Sequence, residues 1–531
     1  MPFRQELRMK ISRGALCSSA GLLLTLGSFG CGSGNFTPPP PLTAIASTAN
    51  PLVAQYSIAH FHLGLTAWVE FGTDTTYGRQ TSIMTASGTV PGGQVLQVLV
   101  AGMLPQTTYH MRAHVDWAEG SWVDQDHTFT TGALPGTQMP TASSSAQFPA
   151  ISVTLPTPGL MPSPGVELLS LTSAGPQAVV VDLQGNVIWY CPGNAEPVKP
   201  LQNGHFIIVR PLDLQEVDLA CNVIRDVSYT KVNQSLQAGH YDFTIPPPLG
   251  LNGGNPFHHD VFVLPNGHWI GLCQIAKSFT DLPGYPGTTQ VVGDAVVDID
   301  LNGNVVWAWS SFDHLDVNRY PYFGLPDWTH SNALIYTADG NLLVSMRNQS
   351  WILKIDYANG TGSGNVLWKL GQDGDFTLLG GNPSDWFYAQ HYPNILSVNG
   401  SQTTMAIYDD GNARILSDGL PCGPPAPPAP NCYSRATIFQ IDESTNVASL
   451  QWQYLPGFFS FWGGSIDVLS NGDVEFDSSA PSDFAGSQVI EVSQTDSPQV
   501  VWQMNIAGGV GIGAYRGYRI PSLYPGVTWQ Q

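Results

Sequence analysis

The feature that most constrains the fold is an internal repeat. A strand, a polar turn and a second strand that ends in an aromatic residue or its substitute recur six times. The copies end at Trp189, Arg225, Trp307, Trp368, Trp452 and Trp502. A second hairpin with an Asn-Gly or Asp-Gly turn precedes most copies, as in VFVLPNGHWIGL. These dipeptides supply the positive φ angles that tight two-residue hairpins need.

Two hairpins per copy make a four-stranded sheet, which cannot bury both of its faces alone. Radial stacking of the copies buries them, so six copies predict a six-bladed β-propeller. The first copy lacks a clear inner hairpin, and the C-terminal run YRGYRIPSLYP would supply the missing inner strand and close the ring. A stacked sandwich or another β-solenoid is the alternative, because the copies differ in length.

The region before the repeat also reads as β-structure. Its run LVAGMLPQTTYHMRAHV resembles the late strands of fibronectin type III-like sandwiches, where a Tyr corner precedes a strand. The predicted fold class is therefore all-β: a six-bladed β-propeller with an N-terminal fibronectin III/Ig-like β-sandwich. The predicted segments are an export signal (1–36), a Pro-rich linker (37–43), the sandwich (44–133), a second linker (134–149) and the propeller (150–531).

The first residues have the composition of an export signal. Four basic residues precede an apolar run over roughly 15–29, which is too short for a comfortable membrane span. We expect a periplasmic or cell-envelope protein. The sequence before Cys31 loosely resembles a lipoprotein cleavage box, which would place a lipid anchor on this residue. An ordinary signal or an uncleaved anchor is the alternative.

The net charge of the chain narrows its possible binding partners, and its cysteines leave one disulfide open. The chain has 19 Lys and Arg against 40 Asp and Glu, a formal net charge of −21. Such a surface repels nucleic acid phosphates and anionic lipids. Cys422 and Cys432 flank a Pro-rich loop, and they either form a disulfide or remain two reduced thiols. We find no phosphate-binding glycine loop and predict no cofactor.

Histidines recur at one position of the repeat. His258-His259-Asp260, His330-Ser331-Asn332 and His391 each precede the first inner strand of a copy by a similar offset. Equivalent strand starts ring one mouth of a propeller channel, so three imidazoles are predicted to converge there. Arg347 ends the strand that follows His330, and it would add a fixed cation suited to a tetrahedral oxyanion.

Several phrases together resemble the bacterial arylsulfate sulfotransferase family: DWTHSN, LLVSMRNQSWILKID, VLWKLG, QH, YDDGNAR and YRGYRIPSLYP. The resemblance covers roughly residue 149 to the C-terminus. It implies an exported six-bladed propeller enzyme that moves a sulfuryl group from an aryl sulfate to a phenol without a nucleotide sulfate donor. One departure is an extra carboxylate, in Tyr408-Asp409-Asp410-Gly411.

The resemblance also implies roles for individual residues. His391 is the expected nucleophile and forms a sulfohistidine in a ping-pong reaction. His330 and Asn332 surround the sulfuryl group, and Arg347 neutralises its oxygens. His258 is the preferred remaining active-site imidazole because this alignment sets Asp260 opposite Asn332, with His259 as the competing substrate-binding candidate. Homodimerisation stays open.

Two other functions fit parts of the sequence. One is a non-catalytic exported propeller that serves as a binding or adhesion platform, since propellers host many functions. The other is a metalloenzyme with His258, His259, Asp260 and His330 as ligands. The neighbouring Arg347 argues against a bound cation. An aryl sulfate donor and a phenolic acceptor are therefore the expected partners.

Overall fold

The computed structural model describes residues 40–60, 64–86, 94–135, 148–172, 177–193, 195, 197–248, 254–416, 419, 421–423, 431–482, 485–508 and 513–530. The predicted export signal and Cys31 lie outside these residues. Within them the structure is built from antiparallel sheets, with α-helices at Tyr229–Ala238 and Ser311–His314. Single 3₁₀ turns lie at Arg347–Gln349, Ala358–Gly360 and Pro383–Asp385. The predicted all-β class is confirmed.

Two sheets form the N-terminal region. One contains Leu42–Ser47, Ala54–His60 and Gln94–Val100; the other contains Thr66–Gly72, Arg79–Gln80, Met84–Thr85, Thr108–Trp117, Gly120–Val123 and His127–Thr130. Alternate residues of their long strands point inward and share one apolar core. The Tyr109 hydroxyl accepts a hydrogen bond from the Leu104 N–H at 3.0 Å, so the corner predicted from the LPQTTY run is formed.

Six further sheets each contain four antiparallel strands, and we number them one to six. Sheet one contains Val166–Leu171, Ala178–Val181, Val187–Cys191 and Ala514–Ile520; sheet two contains Val198–Pro200, Phe206–Val209, Asp213–Val217 and Val223–Ser228. Sheet three contains Phe257–Val263, Trp269–Leu282, Tyr285–Ile299 and Val305–Ser310; sheet four contains Ser331–Tyr336, Leu342–Met346, Trp351–Ile355 and Val366–Gly371.

Sheets five and six each carry an extra edge strand. Sheet five contains His391–Asn399, Gln402–Asp409, Arg435–Asp442 and Val447–Tyr454, with Thr377–Leu378 added in parallel. Sheet six contains Ser465–Val468, Val474–Ser478, Gly486–Val492 and Val500–Ala507, with Ile151–Thr154 added antiparallel. As the sequence predicted, the C-terminal strand completes sheet one by pairing with Val166–Leu171.

The sheets contact one another in chain order, and sheet six contacts sheet one. The first strands of sheets three, four, five and six are neighbours, and Ser465–Val468 also touches the C-terminal strand of sheet one. The aromatic residues that end the repeat reinforce this order. The indole N–H of Trp189 donates to the Leu219 carbonyl of sheet two at 2.7 Å, and Trp502 donates to Leu183 of sheet one at 3.0 Å. The last copy of the repeat is therefore bonded to the first.

The chain after the closing strand holds the N-terminal sheets. The Tyr524 hydroxyl donates to the Leu99 carbonyl at 2.9 Å and accepts from the Ala101 N–H at 2.7 Å. The Trp529 ring packs against Phe71. Among the described residues, no helix combines the length and apolar character that crossing a membrane requires.

Candidate active site

Three of the sheets place their histidines around one cavity of about 720 Å³. His259 lies in the first strand of sheet three, His330 directly precedes that of sheet four, and His391 begins that of sheet five. His259 and His330 both adopt the left-handed backbone conformation, with φ of 56° and 48°. Such angles are uncommon outside glycine, and both residues adopt them at the start of the first strand of their sheet.

The cavity brings together most of the predicted site. His258, His259, His330, Arg347 and His391 all line its wall. The wall also includes residues for which the sequence predicted no role, among them Asp327, Asn348, Phe323, Phe461, Trp462, Gly463 and Tyr515.

His391 is held from both sides of its ring. Its Nδ1 makes a short contact with the carboxylate of Asp410, and the Gly463 N–H donates to its Nε2 at 3.3 Å. A donor aimed at Nε2 requires a lone pair there, so the ring proton lies between Nδ1 and Asp410. Burial and the cations Arg347 and Arg516 hold the pKa of His391 well below its usual value. The imidazole is therefore neutral near pH 7, with Nε2 unprotonated.

The carboxyl of Asp410 is buried as deeply as the ring it contacts. Neither residue is more than 1% exposed. Burial raises the pKa of Asp410 well above its usual value, and the nearby Arg347 opposes this shift. One proton is thus shared by a carboxyl and an imidazole that both resist charge, which fixes the tautomer of the ring. In the sequence, this carboxylate stands out only as a departure from the family phrase.

The histidines of sheets three and four also lie beside carboxylates. His330 Nδ1 lies 2.6 Å from Asp327, whose pKa is lowered by His330 and Arg347 although burial opposes the shift. His258 Nε2 lies 3.2 Å from Asp294, and its Nδ1 lies 2.7 Å from Nδ1 of His259. Each imidazole therefore has a defined orientation.

His259, rather than His258, reaches the centre of the cluster. Its ring centroid lies 4.8 Å from that of His330 and 5.4 Å from that of Tyr515. Burial lowers the pKa of His259 well below its usual value, and the neighbouring imidazoles and Arg516 add to this shift. The preferred residue of the sequence analysis, His258, connects His259 to Asp294.

Arg347 is the cation that borders the cavity beside His391. Its side chain is 8% exposed, and its Nη1 and Nη2 donate to Asn348 at 2.9 Å and to the Phe461 carbonyl at 3.0 Å. Nε finds no hydrogen-bond partner among the described residues. Burial lowers the pKa of Arg347, an effect that Asp410 and Asp327 oppose. A guanidinium without a bound carboxylate leaves positive charge available to an anion.

Asn332 departs from its expected place. It is fully buried, it does not line the cavity, and its side-chain amide donates to the Gln390 carbonyl at 2.7 Å. Because Gln390 directly precedes His391, this bond joins the starts of sheets four and five. Its backbone carbonyl accepts from Arg516, a buried residue that lies on the closing strand. Asn332 therefore supports the site from behind the wall.

The predicted cysteine pair lies beside the cavity. Cys422 and Cys432 form a disulfide in the structure. The backbone of Cys422 bonds to Ala413 and Arg414, just after Asp410. Among the described residues, no group of three or more His, Cys, Asp or Glu is arranged to hold a metal ion.

Comparison with known proteins identifies the family. The family model described as arylsulfotransferase (ASST) matches residues 165–516. No curated protein matches the chain. Among solved structures, a protein of unknown function from Bacteroides caccae is 11% identical, with a TM-score of 0.38, and streptogramin B lyase is 12% identical, with a TM-score of 0.28; each match covers 67% of this chain and 98% of the other. The family match spans well over half of the 531 residues, so the chain belongs to the arylsulfotransferase family.

Proposed function

We propose that the chain transfers a sulfuryl group from an aryl sulfate ester to a phenol, through a sulfohistidine at His391 and without a nucleotide sulfate donor. The observation that carries the proposal is the state of His391. It is a neutral imidazole with Nε2 unprotonated, in a cavity that also holds the guanidinium of Arg347, whose hydrogen bonds go to an amide and a backbone carbonyl rather than to a carboxylate. Neutral imidazole is an effective nitrogen nucleophile, and a sulfate ester brings the anionic oxygens that Arg347 would receive.

In the first half-reaction, Nε2 of His391 attacks sulfur. The N–S bond forms as the bond between sulfur and the aryl oxygen breaks, and the electron pair of that bond leaves on the phenolate. His330 in its imidazolium form, with Asp327 as counter-charge, gives this oxygen a proton. General acid catalysis of this kind contributes about 10²- to 10⁴-fold.

The second half-reaction reverses these roles. The neutral His330 accepts the proton of the incoming phenol, whose oxygen attacks sulfur. The N–S bond then breaks, and its electron pair returns to Nε2 of His391. Since one site serves donor and acceptor in turn, the kinetics are ping-pong.

Fixed hydrogen-bond donors stabilise the negative charge on the sulfuryl oxygens. Arg347 lies where preorganised positive charge stabilises the transition state, and the neutral His259 offers a further ring N–H. His258 and Asp294 orient His259, and Asn332 holds the strand start that carries His391. We assign positioning roles to His258, Asp294 and Asn332.

The same proposal includes the architecture and the location. The cyclic contacts of the six sheets support a six-bladed β-propeller over 150–531, and the two N-terminal sheets with the Tyr109 corner support a fibronectin III-like sandwich over 44–133. The disulfide is typical of an oxidising compartment, which agrees with export to the periplasm or cell envelope.

Turnover of a chromogenic donor tests the function. Purified protein mixed with 4-nitrophenyl sulfate alone should release at most one equivalent of nitrophenol, and continuous release should require added phenol. Mass spectrometry of enzyme exposed to donor alone should find one sulfuryl group on the peptide that contains His391. His391→Ala should abolish both signals, whereas His268→Ala, a histidine of sheet three outside the cavity, should retain them. Full turnover in His391→Ala would remove this residue as the nucleophile.

A further inference from the structure

In the part of the chain that the structure describes, exposed aromatic side chains are concentrated at the mouth of the candidate active site, where two of the three line the cavity. Aromatic residues make up 11% of the chain, yet the described ones classed as exposed are Tyr322 (45%), Phe323 (38%) and Phe461 (42%). Phe323 and Phe461 both line the cavity. Exposing large apolar rings costs free energy that burial would recover, and such a concentration marks an interaction site.

The two phenylalanines are tied to the reacting groups. The guanidinium of Arg347 lies 5.5 Å from the ring centroid of Phe323, and it donates to the carbonyl of Phe461 at 3.0 Å. Phe323 belongs to the segment that continues to Asp327, the partner of His330. Phe461 lies two residues before Gly463, which donates to His391.

Exposure increases outward along this wall. His391 is 1% exposed and Arg347 is 8% exposed, whereas the two phenylalanines are more than one-third exposed. A ring bonded directly to the sulfuryl group would therefore lie near the buried groups, and a second ring would reach Phe323 and Phe461. The volume of about 720 Å³ falls within the range of roughly 300–1,000 Å³ that suits ligands larger than one ring.

We propose that Phe323 and Phe461 are specificity-determining residues that select aryl sulfates and phenols with a second aromatic ring. This inference rests on the proposed function. The flat faces of the two rings offer stacking and edge contacts to the outer ring of the substrate. They also cover Arg347 and limit its contact with water, which strengthens its attraction for the sulfuryl oxygens.

The mouth is held in place by buried neighbours. The side-chain amide of Asn412 donates to the Phe461 carbonyl at 3.1 Å, and a Cβ placed on Gly423, next to the disulfide at Cys422, would lie 3.8 Å from the Phe323 ring. A preformed mouth loses less conformational entropy when it binds a rigid ring system.

Donors with one and two rings test the proposal. With 4-methylumbelliferyl sulfate, Phe323→Ala and Phe461→Ala should each lower kcat/KM by roughly two- to tenfold, mainly through KM. With 4-nitrophenyl sulfate, the loss should be smaller. Phe323→Tyr and Phe461→Tyr keep the ring and should restore the wild-type preference. Tyr322→Ala is the control, because Tyr322 is equally exposed but does not line the cavity.

A binding assay separates this proposal from the proposed function. Fluorescence titration with 4-methylumbelliferone needs no turnover, and both alanine variants should bind this phenol more weakly than the wild type. If the alanine variants bind this phenol more weakly but the wild type turns over no aryl sulfate, the binding role of the two phenylalanines is supported and the proposed function is rejected. Three results would contradict the specificity role of Phe323 and Phe461: equal losses of kcat/KM with both donors, unchanged kinetics in the alanine variants, or an effect of Tyr322→Ala as large as that of Phe323→Ala.

Discussion

Replacing Asp410 with asparagine isolates the group that sets the tautomer of His391. Asparagine has nearly the same shape, but its amide can donate to Nδ1. The ring proton would then move to Nε2, where it opposes the Gly463 N–H and removes the nucleophilic lone pair. In a Ser-His-Asp triad, holding the imidazole in the wrong tautomer costs about 10⁴-fold in kcat. At about 1.36 kcal/mol per tenfold, we expect the wrong tautomer of His391 to lower kcat by roughly two to four orders of magnitude.

Stability should respond in the opposite direction. Burial raises the pKa of Asp410, so its ionised form is less favourable in the folded chain than in the unfolded chain. The stability that this group contributes is present below its unfolded pKa and is lost as the pH rises towards the folded value. At pH 7 the neutral asparagine removes that cost, and Asp410→Asn should have an unchanged or higher Tm.

The adjacent carboxylate provides a matched control. Asp409 is equally buried, but it binds Arg414 and Arg435 rather than a histidine. Asp409→Asn removes the one carboxylate that pairs with both guanidiniums, so it should lower Tm while the folded fraction still turns over 4-nitrophenyl sulfate. Calorimetry and initial rates measure both effects. A kcat within fivefold of wild type for Asp410→Asn would refute the assigned role of the carboxylate.

Three further predictions concern Arg347, His391 and the disulfide. Arg347→Gln should lower kcat by about 10²- to 10³-fold, while Arg319→Gln, outside the cavity, should not; equal rates in both variants would exclude charge stabilisation by Arg347. The lowered pKa of His391 places the acidic limb of the kcat/KM profile below pH 6.5, and a limb at or above that pH would contradict a neutral nucleophile. The double variant Cys422→Ser/Cys432→Ser should lose about 3 kcal/mol of unfolding free energy, and reductant should lower the Tm of the wild type alone; identical melting curves would show that the bond contributes nothing.

The repeat predicted the sheets because its signals are local. Each hairpin needs its own turn residues, and most copies end in a donor that reaches the next sheet. Trp368 is the exception, because its indole N–H finds no partner among the described residues and its ring packs against Phe376. Arg225 shows that the donor need not be an aromatic ring, since its guanidinium reaches the Gly267 and Asp300 carbonyls of sheet three. By contrast, Ile151–Thr154 joins sheet six across about 350 residues, and no local pattern in so short a strand specifies a distant partner.

The position of the site could be predicted as far as the repeat could be aligned from one copy to the next. Residues alternate between the two faces, so an inserted residue exchanges those faces. In sheet three, the stretch from Phe257 to Val261 faces only Cys273 to Gly271, and this bulge lies where the two histidines are. The alignment that sets Asp260 opposite Asn332 allows for no insertion and therefore favoured His258, whereas the bulge turns His259 towards His330. A smaller irregularity between Ser331 and Ala333 contains Asn332, the other residue whose predicted place was not the observed one. The repeat thus located the cluster but could not resolve its orientation across the irregularities that shape it.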